Sequence, residues 1–293
     1  MWTRLLRPVR DEHGVPDSVL TLTAIILLLR PFDVWWVASF VLAAACLSLF
    51  SRAVRRAPVT WLLVAVFVAA RIVAVWPLSD NHIYLLAYWC LAIGLALSSA
   101  NPAGTLSVSS RWLLGGAFAM AVLWKAVLSP DYVDGRFFRV TLLTDQRFAD
   151  ASLVFGGLSR EQMAQNREFL KPLPEGAELL TPPSFVEPPR LRAFATTATW
   201  GGLILETLIA LTCILPSRAG VDLARHGLLL TFCFTTYALA PVAGFGWLLA
   251  TMGLAQCRPG QSLLRGAYIA VFILILMYSE IPWTGILADW LVR

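Results

Sequence analysis

Residues 111–129, RWLLGGAFAMAVLWKAVLS, continue directly into residues 130–148, PDYVDGRFFRVTLLTDQRF. The first stretch is apolar along nearly its whole length, which is the pattern of a helix in hydrocarbon. The second stretch brings charged and aromatic side chains immediately after Pro130. Lys125 lies in the apolar stretch, where an ammonium group is costly unless it has a partner or a function. This boundary therefore predicts the edge of a membrane and a candidate site.

The composition of the 293-residue chain extends this contrast. Hydrophobic residues make up 58%, charged residues 14%, and the mean hydropathy is +0.70. A soluble fold could not cover so much apolar surface. Residues 130–195 nevertheless hold 8 of the 23 Lys and Arg residues and 9 of the 18 Asp and Glu residues. We predict an all-α polytopic membrane protein with helical parts at 1–129 and 196–293, separated by an extramembrane cap of about 65 residues at 130–195.

Apolar runs mark the predicted spans, and most approach the roughly 20 residues that cross a bilayer. They occupy residues 18–30, 33–50, 58–76, 81–100, 111–129, 196–215, 226–256 and 266–282. The first run is short and is either a full span or an interfacial helix. The run at 226–256 is too long for one span, and Pro241, Gly244 and Gly246 predict a hairpin within it. The total is about eight or nine transmembrane helices.

Arginines in alternate loops predict the orientation, because cytoplasmic loops carry the excess of Lys and Arg. With nine spans, one side receives the arginines at positions 4, 7, 10, 52, 55, 56, 111, 218, 225, 258 and 265. The N-terminus is then cytoplasmic, and residues 130–195 and the C-terminus are extracytoplasmic.

The cap has signals of its own. Ser159 and Gln162 form a capping-box pattern that predicts a polar helix of about three turns. Prolines between 172 and 189 predict an extended return to the membrane. Six phenylalanines give the segment enough apolar surface to pack as a cap over the helix ends, at positions 137, 138, 148, 155, 169 and 185.

Several functional classes have little support. The arginines are dispersed and do not form a stripe with aromatic residues, so no nucleic-acid partner is expected. The five cysteines have no C-x-x-C spacing and no neighbouring histidine, so no metal site is expected. The sequence has no Walker loop, no G-x-G-x-x-G after a strand, no G-x-S-x-G and no H-E-x-x-H.

Two motifs carry a resemblance. One predicted span opens with Asn81, His82, Tyr84 and Leu85, which resemble the motif Asn-His-x-Tyr-Leu. The end of another is marked by Leu128, Asp131 and Gly135, which resemble the motif Lys-Leu-x-x-Asp followed by Gly. Both motifs belong to the membrane domain that vitamin K-dependent gamma-carboxylase shares with its bacterial relatives, the HTTM family. The resemblance covers roughly residues 15–280 and fits a nine-span count. It implies a multi-pass protein of the bacterial inner membrane and an isoprenoid quinone or other lipid as cofactor.

The chain departs from this family at a central position. In the carboxylase, the lysine directly before Leu-x-x-Asp is held to be the base that starts oxygenation of reduced vitamin K, and this chain has Val127 there. Lys125 lies two residues earlier, about 200° around a regular helix, and without a bulge it faces nearly the opposite way. The chain also has no room for the carboxylase's large lumenal domain.

The candidate catalytic residues are Lys125 and His82, and each has a structural alternative. Desolvation can make Lys125 a neutral base, but its ammonium can also snorkel or pair with Asp131 or Asp134. His82 can bind a head group or move a proton, or simply belong to a polar helix start.

The candidate lipid- or substrate-binding residues are Asn81, Tyr84, Asp131, Arg136, Arg147 and Glu206. Glu206 lies in mid-span, where a carboxylate needs a partner, and Lys125, His226 or a threonine could supply one. A ligand or proton role is the alternative. Arg136 and Arg147 could bind an anionic head group, although nearby aspartates favour local ion pairs.

Two functional hypotheses follow. We favour a non-carboxylase variant that serves as an accessory or structural subunit, with the lipid bilayer and other membrane-protein subunits as partners. Its aromatic partner surface would include tryptophans 35, 36, 61, 76, 89, 112 and 124. The alternative is a lipid- or quinone-dependent enzyme that uses Lys125 as base, with Lys125, His82 and Glu206 converging on a pocket under the cap.

Overall fold

The computed structural model describes residues 16–30, 32–77, 79–145, 148–169, 171–172, 175–176, 178, 184–239 and 242–292. Within these ranges, all regular secondary structure is helical, as the sequence predicts. The helices are α1 (Asp17–Leu29), α2 (Trp35–Phe50), α3 (Arg52–Arg55), α4 (Pro58–Ala74), α5 (Asn81–Leu97), α6 (Pro102–Leu123), α7 (Pro130–Val133), α8 (Arg136–Thr144), α9 (Ala149–Val154), α10 (Arg160–Glu168), α11 (Pro189–Ile214), α12 (Ala219–Leu239), α13 (Ala243–Ala255), α14 (Ser262–Glu280) and α15 (Trp283–Val292).

Two helices in the described part of the chain are long and apolar enough to cross a membrane: α6 with its continuation to Leu128, 27 residues, and α11, 26 residues. The α14–α15 pair becomes a third if its 64° bend lies within one span. The other apolar helices α1, α2, α4, α5 and the Gly244–Ala255 part of α13 are shorter, at 10–17 residues. By length alone, the structure therefore gives two or three spanning helices.

Two predicted boundaries can be compared with the helices. The long apolar run at 226–256 is divided between α12 and α13, as predicted, although Pro241 lies outside the described residues. In contrast, α6 begins at Pro102, well before the apolar run at 111. Asn101 accounts for this earlier start because its side chain accepts a hydrogen bond from Gly104 N at 3.0 Å. This hydrogen bond at the N-terminus of α6 therefore lets the helix begin in more polar sequence.

Helix α13 lies at the centre of the helical core. It packs against α1, α6, α12 and α14, and every residue from Trp247 to Cys257 is buried. Gly253 permits a close approach of α13 to α14, because a Cβ atom there would overlap the ring of Tyr268 on α14. Ser110 on α6 is also tied to this helix, donating to the Met252 carbonyl at 2.5 Å. A short helix packed on four sides by others thus forms the centre of the core.

The cap forms a second, smaller core. Leu142, Leu143, Leu158, Met163, Leu191 and Ala195 pack together there, so the cap rests on the first turns of α11. The predicted capping box is confirmed: Ser159 Oγ accepts from Gln162 N at 3.2 Å, and Gln162 Oε1 accepts from Ser159 N at 2.9 Å.

The C-terminal helix α15 folds back onto the cap. It packs against α9, and Asp289 forms an ion pair with Arg160 at the start of α10. The C-terminal helix and the cap therefore lie at the same end of the molecule.

A group of arginines lies on α6, α12 and α14 and in the connection between α13 and α14. Asp222 Oδ1 accepts from Arg225 at 2.8 Å, and Asp222 Oδ2 accepts from Arg258 at 2.5 Å. Arg111 donates to Ser217 Oγ at 2.6 Å in the α11–α12 connection. We call Arg111, Arg225, Arg258 and Arg265 the arginine cluster.

Candidate functional site

Lys125 lies in a local departure from α-helical geometry. Helix α6 changes at Trp124 into a single π turn that runs to Leu128. Pro130 follows and has no backbone N–H with which to continue the hydrogen-bond ladder. Isolated π turns of this kind are frequent at functional sites. The sequence places Lys125 near the end of a predicted helix, but no pattern in it predicts the π turn.

The side chain of Lys125 is held by Glu206 on α11. Lys125 Nζ donates to Glu206 Oε1 at 2.5 Å, and the exposed fractions of the two side chains are 25% and 8%. Of the partners predicted for Glu206, Lys125 is the one that the structure brings to it. His226 instead contacts the hydroxyl of Tyr268, with 2.8 Å between Nδ1 and the oxygen. The ion pair joins the two longest apolar helices of the described chain.

Tyr132 covers this ion pair on the cap side. Lys125 Nζ lies 5.1 Å from the centroid of the Tyr132 ring, which is the distance of a cation–π contact. Burial raises the pKa of the Tyr132 phenol above its ordinary value, and the charge of Glu206 adds to this effect. Tyr132 was missed as a site residue at the sequence level. Its position two residues after Pro130, next to Asp131, was the available signal.

The second carboxylate oxygen of Glu206 is unusual. Glu206 Oε2 is buried and has no hydrogen-bond partner among the described residues. Tyr237 on α12 is close enough to interact electrostatically with this carboxylate. A buried acceptor without a partner costs free energy, so this oxygen is where a ligand hydroxyl or a proton could bind.

Val127 faces away from the ion pair. Its side chain is 67% exposed, whereas Lys125 points at α11. The two side chains therefore lie on different faces, as the helical spacing predicts, even though a π turn carries both residues. The position that matches the carboxylase lysine is an apolar residue on the outside of the helix.

Asp131 and Arg136 lie beside the site in a network of exposed ion pairs. Arg136 contacts Asp131 at 2.9 Å and Asp134 at 3.1 Å. Gly135 between them has φ of 78°, a left-handed conformation that favours glycine. These contacts agree with the local ion pairs expected from the sequence. Arg147, the other candidate in this segment, lies outside the described residues.

Asn81, His82 and Tyr84 form a separate region at the start of α5. His82 Nε2 lies 3.5 Å from Asp80, and Arg30 lies 3.6 Å from the same carboxylate. Asn81 is exposed. No hydrogen bond or ion pair among the described residues joins His82 to Lys125 or Glu206. The structure therefore joins Lys125 to Glu206 directly, and the convergence of His82 with them on one pocket stays a prediction.

Tyr84 lines an apolar groove between α4 and α5. The groove has a volume of about 410 Å³, and its walls include Ala65, Ala69, Ala87 and Tyr88. Three small side chains leave the space, and the two tyrosine rings form one wall. Its dimensions and apolar walls suit a hydrocarbon chain.

Arg139 and Glu187 fix the cap over the site. Arg139 donates two hydrogen bonds to Glu187, at 2.5 and 2.7 Å. The bond from Arg139 holds the pKa of the Glu187 carboxyl below its ordinary value. This bidentate pair connects α8 to the segment that precedes α11, and α8 in turn packs on α11. The geometry of the cap thus depends on a charge pair as well as on its apolar core.

No group of three or more His, Cys, Asp and Glu side chains in the described ranges could hold a metal ion. The described cysteines are all free thiols, four of them buried, and Cys46 exposed.

Comparisons with protein-family models, with curated proteins and with solved structures give no match for this chain.

Proposed function

We propose that this chain is an integral membrane protein that serves as a non-catalytic accessory or structural subunit of a membrane complex. The observation that carries the proposal is the bond from Lys125 to Glu206 at 2.5 Å. An ammonium that donates to a buried carboxylate has no free lone pair and is not available as a general base. Val127, at the position of the carboxylase lysine, is apolar and cannot replace it.

We also propose about nine spans, with a cytoplasmic N-terminus and an extracytoplasmic cap. Asp17, at the start of α1, contacts Arg52, Arg55 and Arg56 in the next predicted cytoplasmic loop. The C-terminal helix α15 contacts the cap, which suits an odd number of crossings. The shorter helices would cross with the help of flanking residues and local thinning of the bilayer.

The resemblance to the HTTM family supports this architecture. Asn81 and His82 begin α5, and Asp131 lies in α7, three residues after the end of the π turn. A family member that has lost the catalytic lysine would keep the scaffold while the site becomes a structural contact. The Lys125–Glu206 pair is what such a replacement would look like.

Aromatic residues on the outside provide a surface for partner subunits. Trp35, Trp36, Trp76, Trp112 and Trp124 are 39–78% exposed. Trp61 and Trp89, which the sequence also assigned to this surface, are buried at 1% and 0% exposure. They belong to the core, because Trp61 donates to the Arg55 carbonyl and Trp89 donates to Thr23 Oγ1. The partner surface thus consists of the five exposed rings.

The test uses the full chain with a C-terminal tag, expressed at its native level. Washed membranes are extracted with alkaline carbonate, and then a mild detergent releases the complex for native gels and mass spectrometry. The matched variant is the double substitution Lys125→Met with Glu206→Leu, which removes both charges together and keeps the contact apolar.

We expect the protein to resist carbonate and to migrate with other subunits in stoichiometric amounts. The double variant should assemble as well as the unchanged chain. A chain that purifies without protein partners and retains a quinone that the double variant loses would overturn the subunit proposal.

A quinone- or lipid-dependent enzyme is the second candidate, because Glu206 Oε2 lacks a partner and the groove at Tyr84 suits an isoprenoid chain. A quinone could supply redox chemistry there, while this chain's residues would bind its tail and donate to its ring. The groove at Tyr84 suits the isoprenoid tail, but the residues present are less suited to catalysis, since the candidate base Lys125 is bonded to Glu206.

A further inference from the structure

The arginine cluster has four guanidinium groups, and among the residues that the structure describes the carboxylate paired with it is that of Asp222. Both oxygens of Asp222 accept from arginines of the cluster, Arg225 and Arg258. The other acidic residue between 196 and 265, Glu206, is bonded to Lys125. The other hydrogen bonds of the cluster within the described part of the chain are to neutral groups: Arg111 donates to Ser217, and Arg225 also donates to the Thr212 carbonyl at 3.2 Å. Neutral acceptors orient a guanidinium without cancelling its charge.

The cluster is also partly removed from water. The side chain of Arg225 is 5% exposed. The Nε atoms of Arg111, Arg225 and Arg265 are buried and have no hydrogen-bond partner among the described residues. Charges interact more strongly where water is excluded. An anion that reached this cluster would therefore be held more tightly than by arginines on an open surface.

Two of the helices that carry the cluster also expose leucines near their starts. Leu223 on α12 is 73% exposed, and Leu263 on α14 is 89% exposed. Each leucine lies two residues before an arginine of the cluster, about 200° around a regular helix, and therefore faces outward, away from that arginine. An outer apolar surface at the level of a group of cations is typical of helix ends at a membrane interface.

We propose that the arginine cluster binds the phosphate group of an anionic phospholipid. Arg258, whose side chain is 65% exposed, and Arg265 contact the phosphate oxygens, and Arg111 and Arg225 supply positive charge from behind. The guanidinium fork matches phosphate oxygens in bidentate geometry.

This inference rests on the proposed membrane placement, because the predicted orientation assigns these arginines to the cytoplasmic leaflet. Basic pockets between transmembrane helices on that side bind lipid head groups.

The experiment measures lipid binding by the purified full chain in detergent. The probes are dioleoyl phosphatidylglycerol, dioleoyl phosphatidylcholine and inorganic phosphate, and the readouts are thermal unfolding and native mass spectrometry. The test variant is Arg258→Gln with Arg265→Gln, which leaves buried Arg225 in place. The matched control is Arg160→Gln with Arg192→Gln at the cap, where the side chains are 57% and 64% exposed.

We expect phosphatidylglycerol to raise the unfolding temperature and to remain bound in the mass spectrum. The test variant should bind it about 10- to 30-fold more weakly, while the control variant binds as the unchanged chain does. Unfolding of the test variant in phosphatidylcholine reports whether it is folded; if it is not, Arg258→Gln alone replaces it.

Three results would overturn the proposal: equal binding of the two lipids, an equal effect of inorganic phosphate with no lipid retained, or equal loss in both variants. Carbonate extraction separates this failure from that of the proposed function. A chain that stays in the membrane but does not distinguish the lipids overturns the lipid site alone, whereas a chain released by carbonate overturns the membrane placement as well.

Discussion

The Lys125–Glu206 pair and the arginine cluster differ in how far positive charge is balanced by negative charge. At the pair, one ammonium meets one carboxylate, inside two long apolar helices. At the cluster, one carboxylate is shared by Arg225 and Arg258, with Arg111 and Arg265 on the adjoining helices. An unpaired charge within an apolar layer is costly, whereas at the ends of helices, water, salt or lipid head groups can supply the missing countercharge. Charge is therefore matched where the two long apolar helices meet and left in excess at the arginine cluster.

The largest expected effect tests the matched pair. Lys125→Met leaves the buried Glu206 carboxylate with neither oxygen partnered, and we expect it to lower the free energy of unfolding by about 3 kcal/mol. The double substitution Lys125→Met with Glu206→Leu should recover most of this loss, because no isolated charge remains. Reversible unfolding in mixed detergent measures both. Losses that simply add in the double variant would show that the two side chains do not act as a pair.

The next effect tests the shared carboxylate. Asp222→Asn removes the negative charge between two arginines and should lower the free energy of unfolding by about 2 kcal/mol. Sulfate should restore much of this stability because an added anion can replace the carboxylate. Thermal unfolding over a salt series measures it, with Lys125→Met as the control that salt should not rescue. Equal rescue of the two variants would remove the distinction between the two regions.

A smaller effect concerns the cap over the matched pair. Because its bond to Arg139 lowers the pKa of Glu187, the folded state binds a proton there less readily than the unfolded state. The contribution is fully present above the unfolded pKa of about 4.3 and is lost as the pH falls through the lower folded value. We expect about 1 kcal/mol. Limited proteolysis of the cap between pH 3 and 6 measures it, and Glu187→Gln should abolish this part of the pH dependence.

The smallest effect concerns an exposed pair at the same end of the molecule. Arg160→Gln removes the ion pair with Asp289, whose side chain is 60% exposed. Solvent screens such a pair, so we expect a change within about 0.5 kcal/mol. The same unfolding assay checks it. A loss as large as that of Lys125→Met would mean that α15 is held to the cap chiefly by this pair and that exposure does not separate strong pairs from weak ones.

Local features were predicted well, because each depends on residues close in sequence. The capping box needs Ser159 and Gln162, three residues apart, and the division of the long apolar run between α12 and α13 follows from turn residues within that run. The different orientations of Lys125 and Val127 also follow from helical spacing. In contrast, the π turn depends on how the end of α6 meets α7 and α11, which no local pattern reports.

The site required contacts between distant segments. Lys125 and Glu206 are 81 residues apart, and hydropathy alone left three possible partners for the carboxylate. Tyr132 was not predicted as a site residue, because a tyrosine beside aspartates is typical of a membrane interface. The arginine cluster was visible as a set of loop arginines, but the sharing of Asp222 was not.

The sequence by itself determined that the chain is helical and apolar, where the charged cap lies, and that a lysine and a glutamate occur in segments where charge is costly. These properties follow from composition and from spacing along one helix. The tertiary structure decided that Lys125, and not His226, pairs with Glu206. It also decided that two tryptophans are core residues and that Arg225 and Arg258 share Asp222. Such choices depend on which helix faces meet, and the free energy of a buried charge depends on the partner that the meeting face provides.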